Sequence, residues 1–318
     1  MTQLSNSAAI IVVGSANQDY IVRVAVPPGP GETVLARSLL KQPGGKGANQ
    51  AVAAARLQGN VSFIACVGDD PDGALLLQEL RAQGVDTTNV EIIGHGRTGL
   101  ALVSVYDSGE NSIIVIPGSN FALTPARVDF TIRQLASPDA VMVVQAEVLP
   151  EIIETAIRVA EAVGIRSILN LAPYCDLPPQ LLAVCDPLVV NEAEASALIR
   201  WQVNDPSSAA RAAKELRQVA RSVVVTIGAD GAYWADAERS GHVPAPNISP
   251  VVDTTGAGDA FVGALAVFLA KGETLEEAVR VGVLGGSYAV TSPGAQSSYA
   301  VLSDLVPSWV VKNARTGA

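Results

Sequence analysis

The sequence predicts a three-layer α/β/α fold, with a mostly parallel central sheet between helices and a small β-sheet lid. Short apolar, β-branched runs alternate with Ala- and Leu-rich helical stretches, which is typical of a parallel sheet covered on both faces. Two other segments, at about 18–43 and 98–118, alternate apolar and polar residues around Pro/Gly or Gly-Glu-Asn turns, a hairpin pattern. We therefore expect a single domain over residues 1–318, with a small antiparallel sheet over one edge of the large one, as a cover or as a partner surface.

The elements of the large sheet follow in order along the chain. The apolar runs predict strands at 8–14, 61–68, 140–147, 166–170, 187–191 and 222–230. The stretches at 47–59 and 71–84 predict helices, because their apolar residues recur at helical spacing. Ligands of such sheets bind beyond the carboxyl ends of the strands, so polar residues at those ends are candidates for a site.

Composition excludes several classes of function. The chain has 318 residues, 49% of them hydrophobic, and a net charge of -10 with only 21 Lys and Arg, which argues against a nucleic-acid or anionic-membrane surface. The amino-terminal stretch has no basic region and its apolar run is too short for a membrane span. The cysteines and histidines show no metal-ligand spacing. We expect a reduced, cytoplasmic protein with free, buried thiols.

The stretch from Val251 to Ala270, "VVDTTGAGDAFVGALAVFLA", changes from small residues to a helical pattern near Gly256. The first turn of such a helix offers unpaired N–H groups and a positive dipole end, and glycines let an anion approach closely. Asp259 could then remove the proton of a substrate hydroxyl while the amides stabilise the phosphoryl group under attack. The alternative is that the glycines only permit close packing and Asp259 only caps the helix.

Two further polar groups lie at predicted strand ends. The stretch "PGGKGANQ" opens a helix with Lys46 and Asn49, and it matches neither a Walker A loop nor GxGxxG. Asn17 and Asp19 follow the first strand in "VGSANQD". Together these groups could bind several hydroxyls of a sugar, although Asn17 and Asp19 could also be turn formers.

For three other residues, position in the sequence alone indicates a binding role less clearly. Glu147 ends the predicted strand at 140–147, where a carboxylate could bind sugar hydroxyls or simply be solvated. Asn191 and Glu194 lie at i, i+3 spacing and could form an ordinary helix cap.

With these motifs in view, the chain resembles the ribokinase branch of the phosphofructokinase-B carbohydrate kinase family nearly from end to end. "GGKGANQAVAAARLQG" is similar to the first family signature and "DTTGAGDAFVGAL" to the second. "VGSANQD", "VVNEAEA", "VTIGADG" and "SPGAQ" follow in the family's order. The resemblance implies a ribokinase-like fold, a homodimer that exchanges its β-lid, and transfer of the ATP γ-phosphate to O5 of D-ribose.

The resemblance also implies roles for matching positions. Asp259 would be the base, and the amides of Gly256, Ala257 and Gly258 would form an anion hole. The ribose side would consist of Asn17, Asp19, Gly45, Lys46, Gly47, Ala48, Asn49 and Glu147. The nucleotide side would consist of Asn191, Thr226, Ile227, Gly228, Ala229, Asp230, Gly231 and Gly258, with Glu194 associated with Mg²⁺.

Asp253 suggests a monovalent cation. It precedes the base by six residues, and the loop Thr291–Ser298 supplies no Lys or Arg to balance its charge. The family places K⁺ beside its anion hole, and the matching ligands are the Asp253 carboxylate, the carbonyls of Thr255, Ala289, Ser292 and Gly294, and the Ser298 hydroxyl. Alternatively, Asp253 is a solvated turn residue.

Other functions remain to be compared with this one. A dinucleotide oxidoreductase would need GxGxxG directly after the first strand, which is absent. A non-catalytic sugar sensor would not need the base. Among kinases, 2-deoxyribose, fructose or a nucleoside are alternative acceptors. A sugar phosphate would require basic groups near the lid, for which Arg23, Arg37, Lys41 and Arg97 are the candidates.

Overall fold

The computed structural model describes residues 8–108 and 111–305, and within them it confirms the three predicted layers. The central sheet has nine strands in the order β13-β12-β11-β10-β9-β8-β1-β4-β5. All neighbours pair in parallel except β11–β12 and β12–β13 at one edge. The strands are β1 Ala9–Val13, β4 Asn60–Gly68, β5 Val90–Ile93, β8 Val141–Gln145, β9 Arg166–Asn170, β10 Leu188–Asn191, β11 Val223–Thr226, β12 Ala232–Ala235 and β13 Ser240–Val243.

Helices cover both faces of this sheet. One layer contains α1 Lys46–Arg56, α2 Pro71–Ala82, α8 Ala257–Ala270 and α9 Leu275–Ala289. The other contains α3 Pro125–Leu135, α4 Pro150–Val163, α5 Pro179–Leu182, α6 Glu192–Ile199 and α7 Pro206–Leu216. Short 3₁₀ turns lie at Gly118–Ala122, Gly228–Asp230 and Gln296–Ser298.

Two hydrophobic cores follow from strand alternation. On β1, Ile10 and Val12 belong to the core under α1 and α8, whereas Ile11 and Val13 belong to the core under α3 and α4. Successive side chains of a strand point to opposite faces, so a wholly apolar strand is buried on both sides. This explains why the buried strands have no polar alternation in the sequence.

Local signals set the helix ends. Helix α2 begins after Asp70, whose side chain accepts a hydrogen bond from Gly73 N–H, an N-cap that satisfies one free donor of the first turn. Helix α4 ends at Gly164, which has a φ of 75°, a left-handed conformation that favours glycine. The predicted helices at 47–59 and 71–84 correspond to α1 and α2.

The small sheet is formed by the two predicted lid segments. Its order is β3-β2-β6-β7, with β2 Asn17–Val24, β3 Ser38–Gly44, β6 Gly99–Tyr106 and β7 Asn111–Ile116. The two hairpin pairings, β2–β3 and β6–β7, are antiparallel as expected. The central pairing of β2 with β6 is parallel, because these strands come from separate insertions and no hairpin turn joins them.

Two sequence expectations have simple outcomes. Cys66, Cys175 and Cys185 are free thiols, and Cys66 and Cys185 are buried while Cys175 is partly exposed. Within residues 8–108 and 111–305, no helix combines the length and the apolar character that crossing a bilayer would require.

Candidate active site

A cavity of about 830 Å³ lies between the small sheet and the carboxyl ends of the central strands. It brings together residues that are far apart in the chain. Asn17 and Asp19 come from β2, Gly45, Lys46 and Asn49 from the start of α1, and Glu147 from the residues after β8. The opposite wall consists of residues around the start of α8, including Asp253, Thr255, Gly256, Asp259 and Gly294.

The turn that opens α8 depends on glycine. Gly256 has a φ of 76°, and a Cβ at this position would lie 2.5 Å from the Tyr299 hydroxyl and 2.8 Å from Ala295 Cβ. A side chain would therefore be strained and would also clash. The N–H of Ala257 donates to the Thr254 carbonyl at 3.2 Å, so this amide would have to share its bond with a phosphoryl oxygen. Gly258 is exposed, so its backbone is accessible to a ligand.

Two side-chain amides hold the Asp259 carboxylate. Asn49 Nδ2 donates to Asp259 Oδ2 at 3.0 Å, and Gln50 Nε2 donates to Asp259 Oδ1 at 2.9 Å. The N-cap residue of α8 is Gly256, and Asp259 lies in the first turn with both carboxylate oxygens bonded to these two amides. The alternative role of Asp259 as a mere helix cap therefore has no support in the geometry.

Asn17 is oriented by a second asparagine. The Ala16 N–H donates to Asn120 Oδ1 at 2.8 Å, and Asn120 Nδ2 donates to Asn17 Oδ1 at 2.7 Å. Because a backbone N–H can only donate, it fixes the orientation of the Asn120 amide and hence that of Asn17. The Asn17 NH₂ group is thus left for the cavity that this residue lines.

Asp19 is half-buried beside two other acids. Burial, reinforced by the charges of Glu147 and Asp259, raises the pKa of Asp19 to about 7. Its Oδ1 atom is buried without a hydrogen-bond partner among the described residues. Gly44 makes room for this carboxyl, since a Cβ there would lie 2.2 Å from Asp19 Oδ2. The site therefore offers an unsatisfied acceptor to a ligand hydroxyl.

Glu147 is held at the start of α1. Its Oε2 accepts hydrogen bonds from Ser15 Oγ at 2.6 Å and from Lys46 N at 3.0 Å. Burial lowers the pKa of the Lys46 ammonium, but the carboxylates of Asp259, Glu147 and Glu194 raise it more, so that it lies above its ordinary value. Lys46 is thus a stable positive charge among these acids.

Gly47 and Ala48 have a packing role, and they are not among the residues that line the cavity. Ala48 N–H donates to the Ser15 carbonyl at 2.9 Å. A Cβ on Gly47 would lie 2.6 Å from Ser15 N. These two residues let α1 approach the end of β1, and in this way they place Lys46 and Asn49.

The predicted nucleotide residues at the ends of β10 and β11 are not among the residues that line the cavity. Asn191 and Glu194 form a capping box on α6, in which Asn191 N–H donates to Glu194 Oε2 at 2.8 Å, as the alternative interpretation expected. Thr226 ends β11, and Ile227 to Gly231 form the turn that follows it. Gly231 has a φ of 92°, and a Cβ there would lie 2.1 Å from the Val243 carbonyl, so glycine is required for the turn.

Asp253 connects two loops. Its carboxylate accepts hydrogen bonds from Thr255 N–H and Gly294 N–H, both at 2.9 Å. Burial raises the pKa of Asp253, but these bonds and the Arg23 charge outweigh it and hold the pKa below its ordinary value. The charge is therefore partly balanced without a cation, and the lid residue Arg23 contributes to this. Ser298 Oγ, a predicted cation ligand, donates to the Ala295 carbonyl at 2.8 Å.

Several polar residues of the site were not predicted. They are Ser15, Gln50, Asn120, Asn170 and Gln296, each of which bonds a predicted residue or a side chain next to one. Ser15 and Gln50 lie inside the motifs that pointed to Asn17 and Asn49, and this proximity was the available signal. Gln296 ends the motif "SPGAQ", whereas Asn120 lies outside the quoted motifs and Asn170 ends the predicted strand at 166–170.

Known proteins are similar to this chain in sequence. Residues 7–301 match the pfkB family carbohydrate kinases. A ribokinase from Haemophilus influenzae is 35% identical over 91% of this chain and 94% of its own length. A deoxyribokinase from Salmonella typhi is 36% identical over 91% of this chain and 95% of its own length.

Solved structures show the same fold. A ribokinase from Arabidopsis thaliana complexed with ribose and ATP superposes with a TM-score of 0.85 at 28% identity, covering 95% of this chain and 98% of that one. Phosphofructokinase-2 from Escherichia coli in complex with potassium has a TM-score of 0.77 at 26% identity, covering 94% and 97%. The fold is therefore ribokinase-like, and the chain belongs to the pfkB family of carbohydrate kinases.

Proposed function

We propose that this chain is an ATP-dependent ribokinase that transfers the γ-phosphate of ATP to O5 of D-ribose. One observation carries the proposal: Asp259 lies at the glycine turn of α8, held by two amides, and it lines the same cavity as Asn17, Asp19 and Glu147. This arrangement places a base and an anion-binding turn opposite hydroxyl-binding groups. The ribokinase relatives and the ribose and ATP complex of a structural neighbour support the same sugar and nucleotide.

Each group has a role in the reaction. Asp259 takes the proton of the sugar hydroxyl while the hydroxyl oxygen bonds to the γ-phosphorus. The bond from that phosphorus to the oxygen of the leaving ADP breaks. Backbone amides at Gly256 to Gly258 stabilise charge on the transferring phosphoryl group. Asn17, Asp19 and Glu147 orient the sugar, so that its reacting hydroxyl faces Asp259.

Two ions are part of the proposal. Mg²⁺ would neutralise phosphate charge in the transfer. No group of three or more His, Cys, Asp or Glu side chains in the described chain is arranged for a metal, so the ion would enter with ATP, held mainly by phosphate oxygens with Glu194 nearby. The predicted K⁺ ligands are all oxygens, as that ion requires, and a structural neighbour is a potassium complex.

2-Deoxyribose is the second candidate acceptor, because curated deoxyribokinases are as similar to this chain as the ribokinases are. Asn17 favours ribose. An amide that lines the cavity and is fixed by Asn120 would be left without a partner by a sugar that lacks the matching hydroxyl, at a cost of about 1–3 kcal/mol.

The test is ribose-dependent ADP formation by the unmodified chain and by Asp259→Asn. We expect Asp259→Asn to lower kcat by roughly 10²- to 10⁴-fold, the range for loss of a positioned base, with its circular dichroism unchanged. The exposed Asp139 provides a matched control, since Asp139→Asn removes an equal charge elsewhere. An Asp259→Asn variant that keeps more than half of the parent activity would contradict the assignment.

A further inference from the structure

Gln50 is a buried side chain beside the base. It is 1% exposed, and both of its polar atoms are engaged. Its Nε2 donates to Asp259 Oδ1 and to Asn170 Oδ1, each at 2.9 Å. Its Oε1 accepts from Gln145 Nε2 at 2.7 Å. One amide thus connects the carboxylate of α8 to the ends of β8 and β9.

The orientation of this amide is fixed from both ends. An ionised carboxylate can only accept, so the nitrogen of Gln50 must face Asp259. At the other end, Asn170 Nδ2 donates to the Val189 carbonyl at 3.4 Å, which also can only accept. The Asn170 oxygen is therefore turned toward Gln50. A flipped Gln50 would place its oxygen against both the Asp259 and the Asn170 oxygens.

Close packing of α1 and α8 makes the contact possible. A Cβ on Gly263, one turn after Asp259, would lie 2.5 Å from Ala53 Cβ and 2.9 Å from Gln50 O. The two helices touch through these small residues, and the facing Gln50 and Asp259 side chains therefore come within hydrogen-bond range. The geometry of the base is thus set by the helix pair and not by the glycine turn alone.

We propose that Gln50 is a positioning residue for the general base, which holds one oxygen of Asp259 so that the other lone pairs face the sugar hydroxyl. This inference rests on the proposed function. A hydrogen bond to the ionised form favours that form, and a fixed carboxylate keeps its attack geometry. Loss of the amide should leave the carboxylate held by Asn49 alone, so that it departs from this geometry and kcat falls while sugar binding is retained.

A purely structural role would give a different result. Gln18 is also 1% exposed and is also near the cavity, but its Nε2 donates to the Gln42 carbonyl at 2.8 Å and not to a reacting group. Gln18→Met and Gln50→Met each remove a buried amide and keep the volume nearly constant. Both variants should lose stability, and only Gln50→Met should alter the chemistry.

The experiment measures kcat and the KM for ribose from pH 5 to 9, with saturating MgATP, for the parent, Gln50→Met and Gln18→Met. We expect Gln50→Met to lower kcat roughly 10- to 100-fold at neutral pH, with little change in KM. Gln18→Met should keep the parent profile.

A double variant separates this inference from the proposed function. If Gln50 acts through the carboxylate, adding Gln50→Met to Asp259→Asn should lower kcat no further. A parent-like kcat in Gln50→Met, with Asp259→Asn impaired, would overturn only the role of Gln50. An active Asp259→Asn would overturn the proposed function itself. If Gln50→Met does not fold, Gln50→Asn keeps a polar amide but withdraws it from Asp259, and the same outcomes apply.

Discussion

Three carboxyl groups share one cavity, and each is held differently. Asp259 accepts from two side-chain amides, and Glu147 accepts from Ser15 and from the backbone of Lys46. Asp19 keeps one buried oxygen without a partner in the described chain. A buried acceptor that lacks a partner is costly until a ligand supplies one. We therefore expect a bound sugar hydroxyl to change the protonation of Asp19.

This leads to a pH prediction. In the protein without sugar, burial raises the pKa of Asp19 from 3.8 to about 7. Between these two pH values the folded protein therefore keeps a proton that the unfolded chain loses. Ionising it costs stability as pH rises through that window, and sugar binding by the carboxylate is lost as pH falls below about 7. We expect kcat/KM for ribose to fall below pH 7, and Asp19→Asn to flatten that limb. A limb that survives in Asp19→Asn would contradict the assignment.

Single residues were predictable only where a motif contained them. Asn17, Asp19, Asn49 and Asp259 lie in glycine-rich or strand-end motifs and were predicted. Gln50 lies beside Asn49 but has no distinctive pattern, because a glutamine in a helix is usually exposed. Asn120 bonds a residue 103 positions away, and such a contact leaves no local trace in the sequence.

At the level of elements, the pairing of α1 with α8 determines where the base lies. The helices approach each other closely at Gly263, since a Cβ there would lie 2.5 Å from Ala53 Cβ and 2.9 Å from Ala54 N. Backbone atoms cannot move aside as flexible side chains do. The helices would have to separate to admit a methyl group.

We therefore expect Gly263→Ala to be damaging despite the small change. Overpacking typically costs about 1–3 kcal/mol, which outweighs the ~1 kcal/mol that alanine gains in a helix. The free energy of unfolding should fall by about 1 kcal/mol, and kcat should fall at least tenfold as Asp259 moves from Gln50. Urea unfolding and initial rates measure both effects. Gly94→Ala, where the space is open, is the control, and equal behaviour of the two variants would refute the packing argument.

The two loops joined by Asp253 lead to a cation prediction. Asp253 already accepts from Thr255 and Gly294, so a K⁺ ion would act by ordering these loops and the adjacent Gly256 turn, not by neutralising a bare charge. We expect K⁺ to raise kcat roughly tenfold over Na⁺ or a bulky organic cation at equal ionic strength, which corresponds to about 1.4 kcal/mol. Asp253→Ala should abolish the difference. Identical rates in all three salts would exclude the cation site.

At the scale of the whole molecule, the small sheet leaves large apolar side chains in solvent. On one of its faces, Leu39 is 61% exposed, Leu102 41% and Ile114 62%. Clustered exposure of this kind marks an interaction surface, and the family resemblance points to a second copy of the chain. We expect a dimer by light scattering at micromolar concentration and a monomer after Leu39→Glu with Ile114→Glu. Val219→Glu, at another exposed position, should stay dimeric, and a monomeric parent would contradict the prediction.

The architecture was more predictable than the hydrogen bonds within the site. Wholly apolar strands alternating with helices determine a parallel sheet covered on both faces, so the layers could be predicted. The hairpins of the small sheet had a different signal, the alternation of apolar and polar residues around turns. The parallel pairing of β2 with β6 could not be predicted, because strands from separate insertions carry no turn that sets their direction. The side-chain hydrogen bonds that Gln50 makes between α1, α8, β8 and β9 likewise depend on packing between distant segments.

The most direct test of the central claim is a competition among sugars. Equal concentrations of D-ribose, 2-deoxyribose, fructose and a nucleoside are offered with MgATP, and ³¹P NMR follows which product forms and which oxygen carries the phosphate. We expect ribose 5-phosphate as the main product. In Asn17→Met, the ratio of phosphorylated ribose to phosphorylated 2-deoxyribose should be smaller. Faster phosphorylation of another acceptor by the unmodified chain, or phosphate on an oxygen other than O5, would contradict the central claim.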